Sequence, residues 1–478
     1  MGTHITDGSA PAPAPRSATT RSAVSPSART ARARLAGWRL PRGLTDPASG
    51  WALTRGWVLT RGLTLTLLTW IDIIVSGDVA YYGRSLSGMF GGGDIRQTLQ
   101  EYPVPVLGVM VPQFLASAEN TTAFALVFAA SMLAVDAAIT WSLWRFDGRS
   151  RGAAVTFWLW FLPAIGPMSY FRFDILPGAL AAGVVITAAR RPGWAGALTA
   201  LGAALKLWPA IMLPILLVRR AGQRAVLVGA LVTGAVVVLV SLAFAGGGRL
   251  ISPLTWQDSR GLQVESVPAV PLMLARGLHP HGVWQVHPSK YKSAEIFGAG
   301  VKFDLKLATV ATVLAVIYIG VLIFRARTMR VVSAQTMGWL LLAATLLVTI
   351  TNKTLSPQYL LWVGAPLAAM LAFRHVAGQS AGAVGQAGRW LMTAAVLTQI
   401  VYPVKYPALM NVGPQTFWVT LILAARNSCL CYVTFIVCRE AWRHTRHDPG
   451  TEQASASESI AEQAGAARTT QPATAVDA

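Results

Sequence analysis

The feature that constrains this chain most is a repeat of apolar segments about 17 to 25 residues long, bounded by short polar stretches in which arginine keeps returning. Such lengths match the hydrocarbon thickness of a bilayer. Inside a bilayer every backbone N–H and C=O must find its partner within the segment, which leaves the α-helix. Composition agrees: 54% of residues are hydrophobic, 13% are charged and mean hydropathy is +0.49, whereas a soluble domain carries about 25% charged residues. The net charge of +20 would suggest nucleic-acid binding in a soluble protein. Here the basic residues sit at segment ends and in the tails, the pattern of positive-inside topology. No basic groove interleaved with aromatic residues is present, so membrane lipids and not nucleic acids are the expected surroundings. Cys429, Cys431 and Cys438 fall together in the last apolar segment and read as small buried hydrophobes.

The expected fold is all-α: a polytopic integral membrane protein with about ten spanning helices plus broken or re-entrant half-helices. Residues 1–50 are rich in Ala, Pro, Ser, Thr and Arg, and lack both an apolar face that would fold and the apolar core of a signal peptide. They form an expected cytoplasmic tail, with a membrane domain over 51–440 and a second tail over 441–478. Arg29, Arg32, Arg34, Arg39 and Arg42 before the first segment, and Arg443, His444, Arg446 and His447 after the last, place both termini on the cytoplasmic side. Expected spans are 57–75, 121–144, 153–166, 171–189, 225–245, 303–324, 334–350, 357–373, 388–402 and 414–437, with 104–117 as an interfacial or re-entrant piece. The substantial outer loops are then 76–120 and 246–302, with shorter ones at 350–357 and 403–413.

Residues 194–218 break the alternation. Arg190-Arg191 precede them and Arg219-Arg220 follow, while Lys206 and Pro209 interrupt the middle. Proline breaks the helical ladder, and two basic flanks suit a segment that dips in and returns. Broken backbone at membrane depth must be buried in protein or line a cavity.

Five motifs stand in one order: Ser76-Gly-Asp78-Val-Ala-Tyr81-Tyr82; Glu101-Tyr102-Pro103; Leu205-Lys206-Leu-Trp208-Pro209; Arg260-Gly-Leu-Gln263-Val-Glu265-Ser266; and Asn352-Lys353-Thr-Leu-Ser356-Pro357-Gln358-Tyr359-Leu-Leu-Trp362. Over roughly residues 57–437 the chain resembles glycosyltransferase family 87, actinobacterial mannosyltransferases that use polyprenyl-phosphate mannose. The resemblance implies a GT-C-like membrane fold, with an aspartate of the first outer loop as catalytic base. That role maps onto Asp78. It also implies a polyprenyl-phosphate sugar donor, a lipid or glycolipid acceptor and an active site outside the cell membrane. One departure is local: this chain has Tyr102-Pro-Val-Pro105 where the family shows Tyr-Pro-Pro.

The chemistry of such a transfer sets its own demands. An acceptor hydroxyl must lose its proton, an oxocarbenium-like centre must be stabilised, and a departing phosphate must be held. One carboxylate near the interface meets the first demand; Arg or Lys meets the last. Candidate cations are Lys206, Arg260, Lys353 and Arg172. For Arg172 a structural pairing with Asp174 is an equal reading, and for Lys206 a protein ion pair equals a ligand phosphate. Tyr81, Tyr82, Glu101, Tyr102, Asp174, Gln263, Gln358 and Tyr359 are further substrate-binding candidates, and Glu265 either orients an acceptor hydroxyl or holds Arg260. Asp72 is the rival base: it lies inside the apolar segment, where a charge costs about 2.5 to 3.5 kcal/mol, and it can bind sugar hydroxyls or pair with a cation. Trp256, Trp284 and Trp362 suit sugar stacking or the membrane interface equally. His279, His281 and His287 lack compact metal-ligand spacing, so no metal ligands are assigned. Cationic side chains meet the charge demand without a cofactor, and the loop carboxylates leave a divalent metal open. The competing function is a transporter or flippase of a lipid-linked sugar, which would spread its charges along a path open to both faces. A third is an assembly partner without activity.

Overall fold

The computed structural model describes residues 49–68, 75–147, 152–258, 260–279, 282–289, 293–376 and 382–446. Of the two expected tails, residues 1–48 and 447–478 lie outside them, as do Asp72, His281, Tyr291 and Lys292, whereas 49–50 and 441–446 are described. In chain order the helices are α1 (Gly50–Thr66), α2 (Gly77–Phe90), α3 (Pro105–Ala116), α4 (Thr121–Asp147), α5 (Ala153–Ile165), α6 (Ile175–Thr187), α7 (Pro192–Leu205), α8 (Met212–Leu216), α9 (Gln223–Ala245), α10 (Gly248–Asp258) and α11 (Val270–Leu278). A short antiparallel pair follows, β1 (Gln285–Pro288) and β2 (Ala294–Phe297), in the register Val286 opposite Ile296. Then come α12 (Val301–Arg327), α13 (Ala334–Thr351), α14 (Leu360–Val376), α15 (Gly382–Gln399), α16 (Tyr406–Met410) and α17 (Thr416–His444).

Among the described residues five helices are long and apolar enough to cross a membrane: α4, α9, α12, α13 and α17. This corrects the expected ten. Glycine and proline cut some of the other apolar runs into shorter pieces. In α5 the helix ends after Pro163 at Gly166, whose φ of 92° no L side chain adopts readily. Its 13 residues, like the 13 of α6, rise about 20 Å, short of a hydrocarbon core of about 30 Å. The first expected span, 57–75, instead begins at Gly50, and α1 carries Arg61 fully inside the protein. The expected outer loop 76–120 is largely helical, holding α2 and α3.

The five long helices differ in how they face lipid. α9 and α12 expose Leu231, Val232, Leu239, Leu314, Ile317 and Phe324, whereas α13 is mostly enclosed. The core runs through α5, α6, α13, α14 and α17, where Trp158, Phe161, Ile175, Trp339, Leu361 and Val433 are sealed from solvent. A smaller apolar cluster under the β hairpin joins Leu262, Val264, Met273, Ile296 and Leu423.

The interrupted segment enters and leaves at one end of the bundle. α7 stops at Leu205; Lys206 is extended (φ −154°, ψ 128°) and a 3-10 turn, Trp208–Ile211, leads into α8. Pro209 has no N–H for a continuing ladder, and its ring packs where a Cβ on Gly202 would sit. At the far side Gly222 lies against Pro192, and Arg219 donates to the Ala189 carbonyl. From there α7 and α9 run side by side at backbone contact: a Cβ on Gly196 would collide with the Val226 carbonyl oxygen. Small residues permit such close approach between membrane helices.

Candidate active site

The loop from Gly166 to Asp174 organises the site. It follows the glycine stop of α5 with a 3-10 turn, Pro167–Tyr170, and ends where α6 begins. Three of its side chains engage three different charged partners. Arg172 forms an ion pair with Asp78, and its Nη2 donates to the Tyr402 hydroxyl at 3.1 Å. Asp174 accepts from Lys206 Nζ at 2.6 Å and from Trp362 Nε1 at 2.8 Å. Tyr170 donates to Asp136 at 3.1 Å. The sequence left an Arg172–Asp174 pairing open; the structure sends the two side chains to separate partners. It likewise resolves Lys206 as the partner of a protein carboxylate.

Asp78 lies in the first turn of α2, where the helix dipole favours an anion. Its side chain is 32% exposed, against 2% for Asp174 and 1% for Glu265. One turn on, the Tyr81 hydroxyl faces the Glu101 carboxylate, and Tyr82 bonds the Tyr102 hydroxyl at 3.1 Å. Tyr102 in turn meets Phe173 edge-on, 5.1 Å between centroids. Burial raises the Tyr82 and Tyr102 hydroxyls well above the usual phenol range, so both remain neutral hydrogen-bonding groups. Lys206 sits in an aromatic cage, 5.0 Å from the Phe173 and Trp362 centroids and 5.3 Å from Tyr359. Trp362 is stacked between Tyr359 and Trp208.

On the other side of Arg172 lies Glu265. It is buried, and its carboxylate accepts from Arg426 Nη2 at 3.0 Å. Glu265 thus holds Arg426 and not Arg260. Desolvation pushes its carboxyl up to about 7 against the opposing charges of Arg426 and Arg172. Gln263 positions its neighbours: its Oε1 accepts from Leu355 N at 2.6 Å and its backbone N–H donates to the Lys353 carbonyl at 3.1 Å. These bonds clamp the turn carrying Lys353, Gln358 and Tyr359 to the long loop. Gln358 is buried with its Oε1 unmatched. Arg260 reaches back to Gln257 at 3.5 Å. Among the described residues no group of three His, Cys, Asp or Glu side chains converges to hold a metal ion.

Several site residues escaped the sequence reading. Asp136, in mid-α4, receives Arg61 Nε and Nη2 at 2.6 Å each, Trp158 Nε1 at 2.7 Å and Trp57 Nε1 at 2.9 Å, besides Tyr170. Arg249, at the start of α10, donates to the carbonyls of Thr98, Leu99, Gln100 and Tyr102 and so fixes the loop bearing Glu101. Arg426 lies within the last apolar segment. The cost of an intramembrane charge, which singles out Asp72 and Lys206, is the signal that also marks Arg61, Asp136 and Arg426. No such signal marks Tyr402.

Fold and site together define a multi-pass membrane protein with an acid–base cluster gathered at one end of its helices. Within that class, the chain belongs to glycosyltransferase family 87, whose family model matches residues 101–357, more than half of the sequence. Membership supports glycosyl transfer as the activity in general. No curated protein and no solved structure matches the chain. Arg172, Asp174, Lys206, Gln263, Glu265 and Lys353 fall inside the matched stretch. Asp78, Tyr81 and Tyr82 precede it, and Asp78 joins it through Arg172.

Proposed function

We propose that this protein transfers a hexose, mannose by its family resemblance, from a polyprenyl-phosphate donor to a hydroxyl of a lipid or glycolipid, at the outer face of the cell membrane and with both termini in the cytoplasm. The observation that carries the reading is the contrast among carboxylates: Asp174 and Glu265 are sealed and bonded to cations, while Asp78 is one-third exposed at the cluster's edge and held by a single arginine. An acceptor hydroxyl can reach Asp78 and cannot reach the other two.

Asp78 takes the proton of the acceptor hydroxyl as its oxygen attacks the anomeric carbon. The bond from that carbon to the phosphate oxygen breaks, and polyprenyl phosphate leaves with the electron pair. One displacement inverts the centre. Arg172 is the cation nearest Asp78, and its guanidinium carries more donors than its two present bonds use; it can meet the phosphate as charge develops there. Lys206, committed to Asp174, serves to hold the loop. Lys353 and Arg260 are secondary phosphate candidates on the clamped turn and the long loop. In this reading protein cations supply the charge opposite the phosphate, so transfer persists in excess chelator.

The charges gather at the end of the bundle opposite its arginine-rich end, and Arg61–Asp136, deeper in the protein, is closed at 2% and 0% exposure. A transporter would need such groups on an open path. The test is single-turnover transfer from polyprenyl-phosphate mannose to a panel of membrane glycolipids, read by product mass. Asp78→Asn should keep donor binding and lose about 100- to 10000-fold in rate. Full transfer by Asp78→Asn with a severe loss in Asp72→Asn would move the base to Asp72. Full transfer by both, with impaired lipid-linked sugar movement, would replace this reading by the transporter.

A further inference from the structure

Away from the candidate active site, a cavity of about 380 Å³, open at the surface, is lined by Val218, Arg220, Gln223 and Arg327, both arginines being exposed. It lies between the start of α9 and the end of α12. α9 runs 23 residues from there to Ala245, roughly 35 Å along its axis, before the chain reaches Arg249 and the loop bearing Glu101. The cavity and the acid–base cluster therefore sit at opposite ends of the same helix.

Two neighbouring arginines have other tasks. Arg219 donates to the Ala189 carbonyl, and Arg325 donates to Thr445 Oγ1 at 3.2 Å while lying over Trp442. Both are committed to the fold. Among the described residues Arg220 and Arg327 have no side-chain partner, and no acidic side chain lines the cavity they face. Gln223 donates its Nε2 to the Leu217 carbonyl at 2.6 Å, which fixes its amide at the wall. Gly222 offers α9 no side-chain cap, so the first N–H groups of a 23-residue helix add their positive end to the same place. Below the cavity the two helices that frame it turn apolar faces outward, with Val228, Leu231 and Val232 on α9 and Ile317, Val321 and Phe324 on α12 exposed.

We infer that this cavity binds the phosphate of an anionic membrane lipid, its acyl chains lying along the exposed faces of α9 and α12. Two guanidinium groups without carboxylates are suited to a phosphate, and basic pockets between helix ends at the membrane boundary favour anionic headgroups. The adjoining apolar faces favour a lipid over free phosphate.

Full-length protein, delipidated in neutral detergent, is titrated with phosphatidylglycerol, with phosphatidylcholine and with inorganic phosphate, and bound ligand is counted by native mass spectrometry. Wild type should retain one phosphatidylglycerol at saturation, and Arg220→Gln/Arg327→Gln should weaken that retention roughly tenfold while phosphatidylcholine is unaffected. Thermal melting and glycosyl transfer, both expected to be unchanged, show that the double variant is folded. Equal phosphatidylglycerol retention by wild type and variant overturns the site. Arginine-dependent capture of inorganic phosphate without saturable lipid retention overturns the lipid occupant.

Discussion

The Tyr170 hydroxyl donates to Asp136 Oδ2 at 3.1 Å, linking the loop that carries Arg172 and Asp174 to a sealed ion pair in mid-bundle. Asp136 is held by Arg61 in a two-pronged contact and by two tryptophans, so it cannot shift without disturbing α1, α4 and α5. Two residues beyond Tyr170, Arg172 reaches Asp78. The deep pair thereby sets where the partner of the proposed base stands.

Removing that tether should affect turnover more than donor affinity. Tyr170→Phe deletes one hydrogen bond to a charged group, about 1.5 to 3 kcal/mol, while Asp136 keeps its arginine and both tryptophans. We expect a modest fall in melting temperature and a decrease in kcat of roughly ten- to a hundredfold with donor KM nearly unchanged, since small misplacements of a reacting group are costly. Equal losses in kcat and expression would reduce Tyr170 to a packing residue.

Lys206 and Asp174 should couple strongly in a double-mutant cycle. Lys206→Met leaves Asp174 buried with the Trp362 indole still donating to it, a loss of roughly 3 kcal/mol for an uncompensated charge. Asp174→Asn combined with Lys206→Met removes both charges and should recover much of that stability. Thermal unfolding of the four proteins in one detergent measures the coupling, and additive effects would contradict the pairing.

Glu265 predicts a pH dependence of stability with a definite sign. Its folded value of about 7 stands above its ordinary 4.5, so between these pH values the folded protein holds a proton that the unfolded chain releases. Its contribution is fully present below pH 4.5 and is lost as pH rises through about 7, a span worth on the order of 3 kcal/mol. Glu265→Gln should flatten melting temperature against pH across that window. A Gln variant with the wild-type slope would place the titration elsewhere.

Orientation is testable with single cysteines in a background lacking Cys429, Cys431 and Cys438. Positive-inside bias predicts that probes at Ser289, beside β1, and at Ser459, in the C-terminal tail, label from opposite sides of the membrane. Labelling from one side would reverse the placement of the site.

Membrane character was legible from apolar segment length and returning arginines because both follow from the chain's local chemistry: backbone satisfaction in lipid and the bias on loop charge. The break at Lys206 was legible for the same reason, a proline and a charge inside an apolar run. The number of spanning helices was not. Window length counts apolar residues, but Gly166, Pro163 and the turn at Pro167–Tyr170 decide where helices stop, and that leaves α5 and α6 too short to cross alone. Of the site, the sequence supplied the residue types and their order, including Asp78, Arg172, Asp174 and Lys206. Which cation meets which carboxylate was decided only by tertiary structure. Arg172 is nearest Asp174 in sequence yet pairs with a residue 94 positions earlier, because the loop after α5 turns alternate side chains toward α2 and toward the α7 break. Arg61–Asp136 and Arg426–Glu265 join residues 75 and 161 positions apart. Such pairs are chosen by the packing of helices, which brings distant charges into a low-dielectric interior where each must find an opposite, and spacing along the chain carries no record of that choice.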